Sequence, residues 1–547
     1  MPSVVEVLVE AFDTAGTPFI TGIPGEESLE LIEAARLRGM RFILNKQESA
    51  AAMMSAAWGE ITGSPGICQV TRAPGAANMV LGVTHAWMDR CPLIAITDQL
   101  AAPTYAVGLR QRLDQLALYT PITKWNTSIN AKTVHQQVRR AIRTATCDVP
   151  GPVQFDLPGD ERTKEAGSDY ISSAPLMPNY VPVIPDRSSM KTPLQMLKAA
   201  QRPILLVGLG VFWSKASTEL VALAERLGAP VLTTPKTKGA IPEDHALSAG
   251  CIFGGLMERK LVSQADLIVT VGLDTVELQP IPWPYATPVL ALSGVKDLEG
   301  PIPAAAEVVG DLKSILEGLS RWAPEGSNWG ERAARAFREE VAAAVDLPSK
   351  GLGPQRLMAV ARSVLPRNTI ATCDVGASRL FSVPKWPVYA PREYLASNAV
   401  ASMGFSVAAA MAARIARPQQ PVVAFTGDGS FMLAAGELHT SVRENLPIIV
   451  VVLDNGGLGV MSLKQDLKDI PRTGTVLGGV DWEHLAQAFG ADSTVVDTEN
   501  ALGDALGIAL KSNRTTLIAA RMDSSRYVDQ YKAMRGIPAQ RDAAQGR

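Results

Sequence analysis

Short apolar runs alternate with stretches of helical period along most of the chain, and this alternation predicts strands and helices in turn. In the first third, residues 42–44, 66–70, 93–97 and 152–157 read as strands, with an amphipathic helix over 28–38. Residues 172–187 are rich in proline, follow neither period and read as a linker. A second alternating region has strands at 203–207, 230–233, 267–271 and 288–292 and a helix through 220–227. A helix over 332–345 bridges to a third region, with strands near 369–372, 422–425, 448–453 and 516–519. The polar tail, 521–547, reads as only partly ordered. The pattern predicts three consecutive α/β domains with mainly parallel sheets, at about 1–170, 190–322 and 350–547. No repeat of solenoid length is present.

Composition narrows the function without naming it. The 547 residues are 47% apolar and 19% charged, with 52 Lys and Arg against 54 Asp and Glu. A net charge of −2 gives no electrostatic reason to expect nucleic acid or an anionic membrane as partner. No apolar stretch approaches the ~20 residues of a membrane-spanning helix. The first residues carry no basic segment ahead of an apolar stretch, so no signal peptide is expected. The five cysteines are scattered, odd in number and never in a CxxC pair, which argues against a disulfide scaffold or a structural zinc site and fits a reducing cytoplasm.

The strongest chemical signal is Gly427-Asp428-Gly429-Ser430, directly after the predicted strand 422–425 and before a helix predicted over 433–443. A carboxylate there lies at the carboxyl end of a parallel strand, where open α/β sheets bind ligands. Flanking glycines let backbone N–H groups approach a diphosphate. The apolar strand 448–453 ends in Asp454-Asn455-Gly456-Gly457, which puts Asn455 27 residues after Asp428. Two such strand ends can offer oxygens to a hard cation such as Mg²⁺ that shares a diphosphate.

This spacing resembles the thiamine diphosphate-dependent enzymes, in particular the group of acetolactate synthases, pyruvate oxidases and 2-oxoacid decarboxylases. The resemblance implies that Asp428, Asn455 and the carbonyl of Gly457 hold Mg²⁺, with Gly427, Gly429 and Ser430 at the cofactor. It extends to Lys46-Gln47-Glu48-Ser49, where acetolactate synthases have Arg-His-Glu-Gln. Glu48 falls on the glutamate that hydrogen-bonds the aminopyrimidine N1′; alone it would read as a helix N-terminal acid. Thr71-Arg72-Ala73-Pro74-Gly75-Ala76-Ala77-Asn78 resembles the family's TSGPGATN loop and places Pro74 and Asn78 near the pyrimidine. Gly22-Ile23-Pro24-Gly25-Glu26-Glu27 resembles the loop lining the reaction site, with Pro24 against the cofactor and the acids in a pocket or a first helical turn. Asp374-Val375-Gly376-Ala377-Ser378 resembles the loop that touches the diphosphate through Gly376, Ala377 and Ser378. Ala401-Ser402-Met403-Gly404-Phe405 resembles the segment in which Met403 wedges the two cofactor rings and Ala401 contacts the pyrimidine.

The resemblance spans the chain as pyrimidine-binding, central and diphosphate-binding domains. It implies a homodimer or homotetramer with active sites at the subunit interface and carboligation of a 2-oxoacid through an enamine. A 2-oxoacid decarboxylase or benzaldehyde-lyase-type carboligase is the enzymatic alternative, and a silent cofactor-binding regulatory subunit the alternative of another class. Only five histidines occur, none adjacent to another, which favours carboligation over simple decarboxylation. Gln47, Arg72, Val460 and Lys464 are candidate substrate contacts. Arg72 suits a carboxylate or a surface position equally, and Lys464 an acidic group or solvent. The central region has Gly272-Leu273-Asp274-Thr275 and Ser293-Gly294 where flavin-binding relatives carry other segments, so FAD is not expected. Gly208-Leu209-Gly210 remains a weak nucleotide signal there.

Overall fold

The computed structural model describes residues 1–167, 181, 183, 185–254, 257–296, 300–326 and 328–535. Most of the predicted linker at 172–187 lies outside them. Three six-stranded sheets follow one another along the chain, and every strand pair in them is parallel. The first runs, edge to edge, Arg41–Leu44, Phe19–Ile23, Gly66–Val70, Leu93–Gln99, Pro152–Pro158, Trp125–Ser128. The third runs Tyr394–Ala396, Ile370–Cys373, Val422–Gly427, Ile449–Asp454, Thr516–Arg521, Asp492–Val496. Numbered within its own sheet, each has the order 2-1-3-4-6-5. The chain therefore reverses direction across the sheet between the first and third strands, and the crevice beyond their carboxyl ends is where such sheets take ligands. In the first sheet that crevice lies beyond Ile23 and Val70, in the third beyond Cys373 and Gly427.

The central sheet runs Ser248–Cys251, Val231–Thr233, Pro203–Val207, Leu267–Val271, Val289–Ser293, Ala306–Val309, the order 3-2-1-4-5-6. Gly208 and Gly210 sit at its switch point for a packing reason. The Gly210 N–H donates to the Gly272 carbonyl at 2.8 Å, and a Cβ on Gly210 would lie 2.7 Å from the Gly272 Cα. Among the described residues no helix is long and apolar enough to cross a membrane.

Strands missed by the sequence reading are mostly sheet edges with mixed polarity, such as Trp125–Ser128 and Asp492–Val496. Phe19–Ile23 is interior but is interrupted by Thr21-Gly22. The predicted helix over 433–443 begins earlier, at Asp428, and is two helices, Asp428–Ala434 and Gly436–Arg443. The tail contains a further helix, Tyr527–Arg535, which buries Tyr527, Gln530 and Met534.

Domains share cores rather than touching at rims. Helix Ser406–Ala416 of the third domain is mostly small and apolar and buries Val407, Ala408, Met411 and Ala412 with Ala50, Met53 and Met54 of helix Glu48–Thr62 in the first. Close backbone approach needs such small side chains. Helix Trp329–Val345 packs between central and third domains, as its bridging position predicts. At the three-way junction Lys236, fully buried, donates to the Glu60 carboxylate at 2.7 Å and the Ala396 carbonyl at 3.2 Å, and lies 3.6 Å from Asp89. Arg392 donates to the other Glu60 oxygen at 3.2 Å. Burial alone would raise the Asp89 carboxyl, but Lys236 and His85 override it and hold it below the usual range. Burial likewise opposes the Lys236 charge, and Glu60 and Asp89 hold it above its usual range.

Removing one partner from such a cluster strands the others, so Lys236→Met should cost about 3–5 kcal/mol, read as a lower unfolding midpoint. The contribution of the Asp89 and Lys236 shifts should be full between about pH 4 and pH 10. It should fall as Asp89 protonates at lower pH or Lys236 deprotonates at higher pH, which a pH series of midpoints checks.

Candidate active site

The third sheet builds a cradle. Strands Val422–Gly427 and Ile449–Asp454 are neighbours with Gly427 opposite Leu453, so Asp428 and Asn455 leave adjacent strands at the same edge. One Asp428 oxygen accepts from the Gly429 N–H and the other from the Gly457 N–H, both at 2.8 Å. The Asn455 side-chain oxygen accepts from the same Gly457 N–H at 3.3 Å. Burial pushes the Asp428 carboxyl up against those hydrogen bonds, and a cation beside it would favour its charged form. Gly457 is required by close approach, since a Cβ there would lie 2.3 Å from the Thr475 carbonyl. A Cβ on Gly376 or Gly427 would meet only open space, so both peptides face the cavity bare. Gly376, at φ +110°, precedes helix Ala377–Lys385 and needs the freedom of glycine.

Asp374 holds these loops together. Its fully buried carboxylate accepts from the Phe405 N–H at 2.7 Å, the Ser406 N–H at 3.1 Å, and the Ser406 and Thr426 hydroxyls at 2.7 Å each. Thr426 precedes the Gly427-Asp428-Gly429 turn, and Phe405 follows the segment carrying Met403. Ala401 adopts φ +54°, a left-handed conformation costly for a residue with a Cβ. The Ser378 hydroxyl points back into the fold and donates to the Asp374 carbonyl at 2.8 Å.

A cavity of about 320 Å³ opens over this cradle. Of the residues singled out from sequence, Gly376, Ala377, Met403, Gly427, Asp428, Gly429, Ser430, Asn455, Gly457, Val460 and Lys464 line it. Ser378 and Ala401 do not. Its wall also includes Gln279 of the central domain, Arg379, Asn398, and Tyr531 from the tail helix, none of them found by sequence reading. Only the spacing of Tyr527, Tyr531 and Met534 in the tail carried a signal, a helical one.

The first domain gathers a second cluster at its own switch point. Glu48 is the first residue of helix Glu48–Thr62, and Asn78 of helix Pro74–Met88 donates to its carboxylate at 3.3 Å. The Ser49 hydroxyl donates to the Asn78 carbonyl. Pro74 opens its helix, and Ala73 before it takes φ +51° where the family has glycine. The loop with Pro24 lies against the Thr71 loop; a Cβ on Gly25 would come within 2.3 Å of the Thr71 hydroxyl. Arg72 is ion-paired with Glu27, both largely buried, and its Nε has no hydrogen-bond partner among the described residues. Gln47 precedes Glu48 as the helix N-cap. None of Pro24, Gln47, Glu48, Arg72, Pro74 and Asn78 lines the third-domain cavity.

Comparison with known proteins joins the two clusters to one chemistry. Residues 2–118 match the N-terminal binding domain of thiamine pyrophosphate enzymes, 190–319 their central domain and 374–520 their C-terminal binding domain. A probable acetolactate synthase large subunit of Methanocaldococcus jannaschii is 30% identical over 552 residues, covering 95% of this chain and 91% of that protein. The acetolactate synthase isozyme 3 large subunit of Escherichia coli K12 is 27% identical, with 96% of each chain covered. The acetolactate synthase of Bacillus subtilis is 25% identical, covering 95% of this chain and 93% of its own. The chain belongs to the thiamine diphosphate-dependent enzymes, as an acetolactate synthase-like member.

Proposed function

We propose that this chain is a cytoplasmic, Mg²⁺-dependent carboligase that joins a 2-oxoacid, after loss of CO₂, to a second carbonyl compound. The observation that carries the reading is the cradle: Gly376 and Asp428 leave adjacent parallel strands at the switch point, with Asn455 one strand further on. Asp428, Asn455 and the Gly457 carbonyl form an all-oxygen donor set that suits Mg²⁺ better than a nitrogen- or sulfur-seeking metal. Thiamine diphosphate, when bound, supplies a thiazolium carbon nucleophile and an electron sink. Backbone N–H groups at Gly376, Ala377, Gly427, Gly429 and Ser430 would receive its diphosphate. Ser378 would act from beneath, through Asp374.

Met403 would support the cofactor rings over the cradle, with the Ala401 backbone, Pro24, Pro74 and Asn78 at the pyrimidine. Glu48 would hold and return a proton at N1′, with Asn78 fixing its carboxyl group. Val460, Lys464 and Gln47 would face substrate. Arg72, neutralised by Glu27, would shape the pocket rather than bind a free carboxylate. Decarboxylation followed by carboligation is redox-neutral, so the reaction asks nothing of a flavin. The relatives' names favour carboligation over aldehyde release, and the built environment of Glu48 argues against a silent subunit. The separation of Glu48 from the cavity supports a homo-oligomer whose second copy brings its Glu48 to this cradle. Met432, Leu433 and Leu81 are exposed apolar residues suited to that contact.

Proton NMR of the protein with Mg²⁺, thiamine diphosphate and pyruvate should show acetolactate; persistent pyruvate would exclude the synthase reading. Glu48→Gln should lower turnover about 10²–10⁴-fold while calorimetry finds the cofactor still bound. Asp428→Ala should abolish Mg²⁺-dependent cofactor binding. Co-expressed Glu48→Gln and Asp428→Ala chains should regain up to about a quarter of wild-type activity, because mixed dimers hold one intact site. No recovery would place each site within a single chain.

A further inference from the structure

Glu437 is 1% exposed and belongs to helix Gly436–Arg443, which follows the Asp428 helix after the single residue Ala435. Its carboxylate reaches across to the first domain. It accepts from the Lys46 N–H at 2.8 Å, the Gln47 N–H at 3.2 Å and the Asn45 side-chain amide at 2.9 Å. These are the three residues before Glu48. The approach is close enough to require Gly436, where a Cβ would lie 2.9 Å from the Lys46 Cβ. Further along, Arg443 donates to the Leu44 carbonyl at 2.6 Å and Glu444 pairs with Arg41 at 2.7 Å. The whole segment 41–47 is docked along one helix.

We infer that Glu437 is a positioning residue: it fixes the loop that presents Glu48 and ties that loop to the segment carrying Asp428. The inference rests on the proposed role of Glu48. Hydrogen bonds from three N–H donors to one carboxylate are charge-assisted and directional, so they set the backbone at which the Glu48 helix starts. A glutamate buried in a protein interior without an ion-pair partner is costly, and among the described residues none pairs with Glu437. The loop's N–H groups supply its stabilisation. Because the two active-site clusters lie at different switch points, this contact is a direct mechanical link between the Asp428 segment and the Glu48 of the same chain.

The position of the loop, rather than the negative charge, is the working element, and Asn45 makes that testable. Its side-chain oxygen is buried with no hydrogen-bond partner among the described residues. With the Asn45 amide turned over, that oxygen can accept from the new amide of Glu437→Gln, which keeps the geometry without the charge. Glu437→Ala cannot.

The test measures two quantities. Amide hydrogen exchange of the metal-free, cofactor-free protein should rise at least tenfold at Lys46 and Gln47 in Glu437→Ala and stay within threefold of wild type in Glu437→Gln. Exchange of the C2 proton of bound thiamine diphosphate, followed by NMR after acid quench, should slow at least tenfold in Glu437→Ala and recover to within threefold in Glu437→Gln. The cofactor Kd should move less than threefold in both. Wild-type C2 exchange in Glu437→Ala, or a loss confined to cofactor Kd, overturns the inference; so does a Glu437→Gln protein as slow as Glu437→Ala. Should Glu437→Ala fail to fold, Gly436→Ala displaces the same loop by its Cβ and should slow C2 exchange in the same way; an unchanged rate there overturns it equally. Glu48→Gln is the control. If it exchanges C2 normally, the proposed role of Glu48 fails; if it is slow while Glu437→Ala is normal, only the positioning role fails.

Discussion

The Asp374 carboxylate is the contact on which the diphosphate-side architecture depends. Parallel strands deliver their loops to one edge, but nothing in a sheet fixes those loops against each other beyond the last ladder hydrogen bond. Asp374 does so with four hydrogen bonds, from two backbone N–H groups and two hydroxyls, that bind its own loop to the Thr426 strand end and to the Phe405 turn. A carboxylate this buried is expensive unless its lone pairs are filled, and burial does push its proton affinity up. Filling them is what holds Gly376, Met403 and Asp428 around a single cavity.

The same strand order in the first and third sheets gives the chain two switch points, and each gathers one set of chemical groups. The third sheet provides oxygens and bare peptide N–H groups, suited to a cation and a diphosphate. The first provides a carboxyl group at a helix start beside an amide, suited to handling a proton. The central sheet, with its different order, uses its glycines to bring two backbones together at Gly210 and Gly272.

Rigidity between domains comes from two unlike interactions. Alanine-rich helices meet with little side-chain bulk and form one continuous apolar core between the first and third domains. Around Lys236, three domains meet through buried charges that are satisfied only in the assembled arrangement. The apolar contact tolerates small adjustments, while the charged junction accepts one geometry, because an unpaired charge at that depth is costly.

Much of this was written in the sequence. Alternating periods disclosed three α/β units, and the order and spacing of Glu48, Gly376, Asp428 and Asn455 carried the resemblance to the thiamine diphosphate-dependent enzymes, because strand-end loops hold such motifs within a few contiguous residues. Edge strands such as Trp125–Ser128 and the early start of the Asp428 helix were less legible, since polar edges and glycine turns blur both periods. What stayed hidden depends on contacts between segments hundreds of residues apart. Arg72 read as a free cation until folding set it against Glu27, and the tail read as loose until Tyr527 and Met534 found a surface to bury against. Glu437 read as one more helical acid until it met the Lys46 and Gln47 amides. Local periodicity and turn chemistry are properties of neighbouring residues and so belong to the sequence; which buried polar group meets which partner is decided only when distant segments pack.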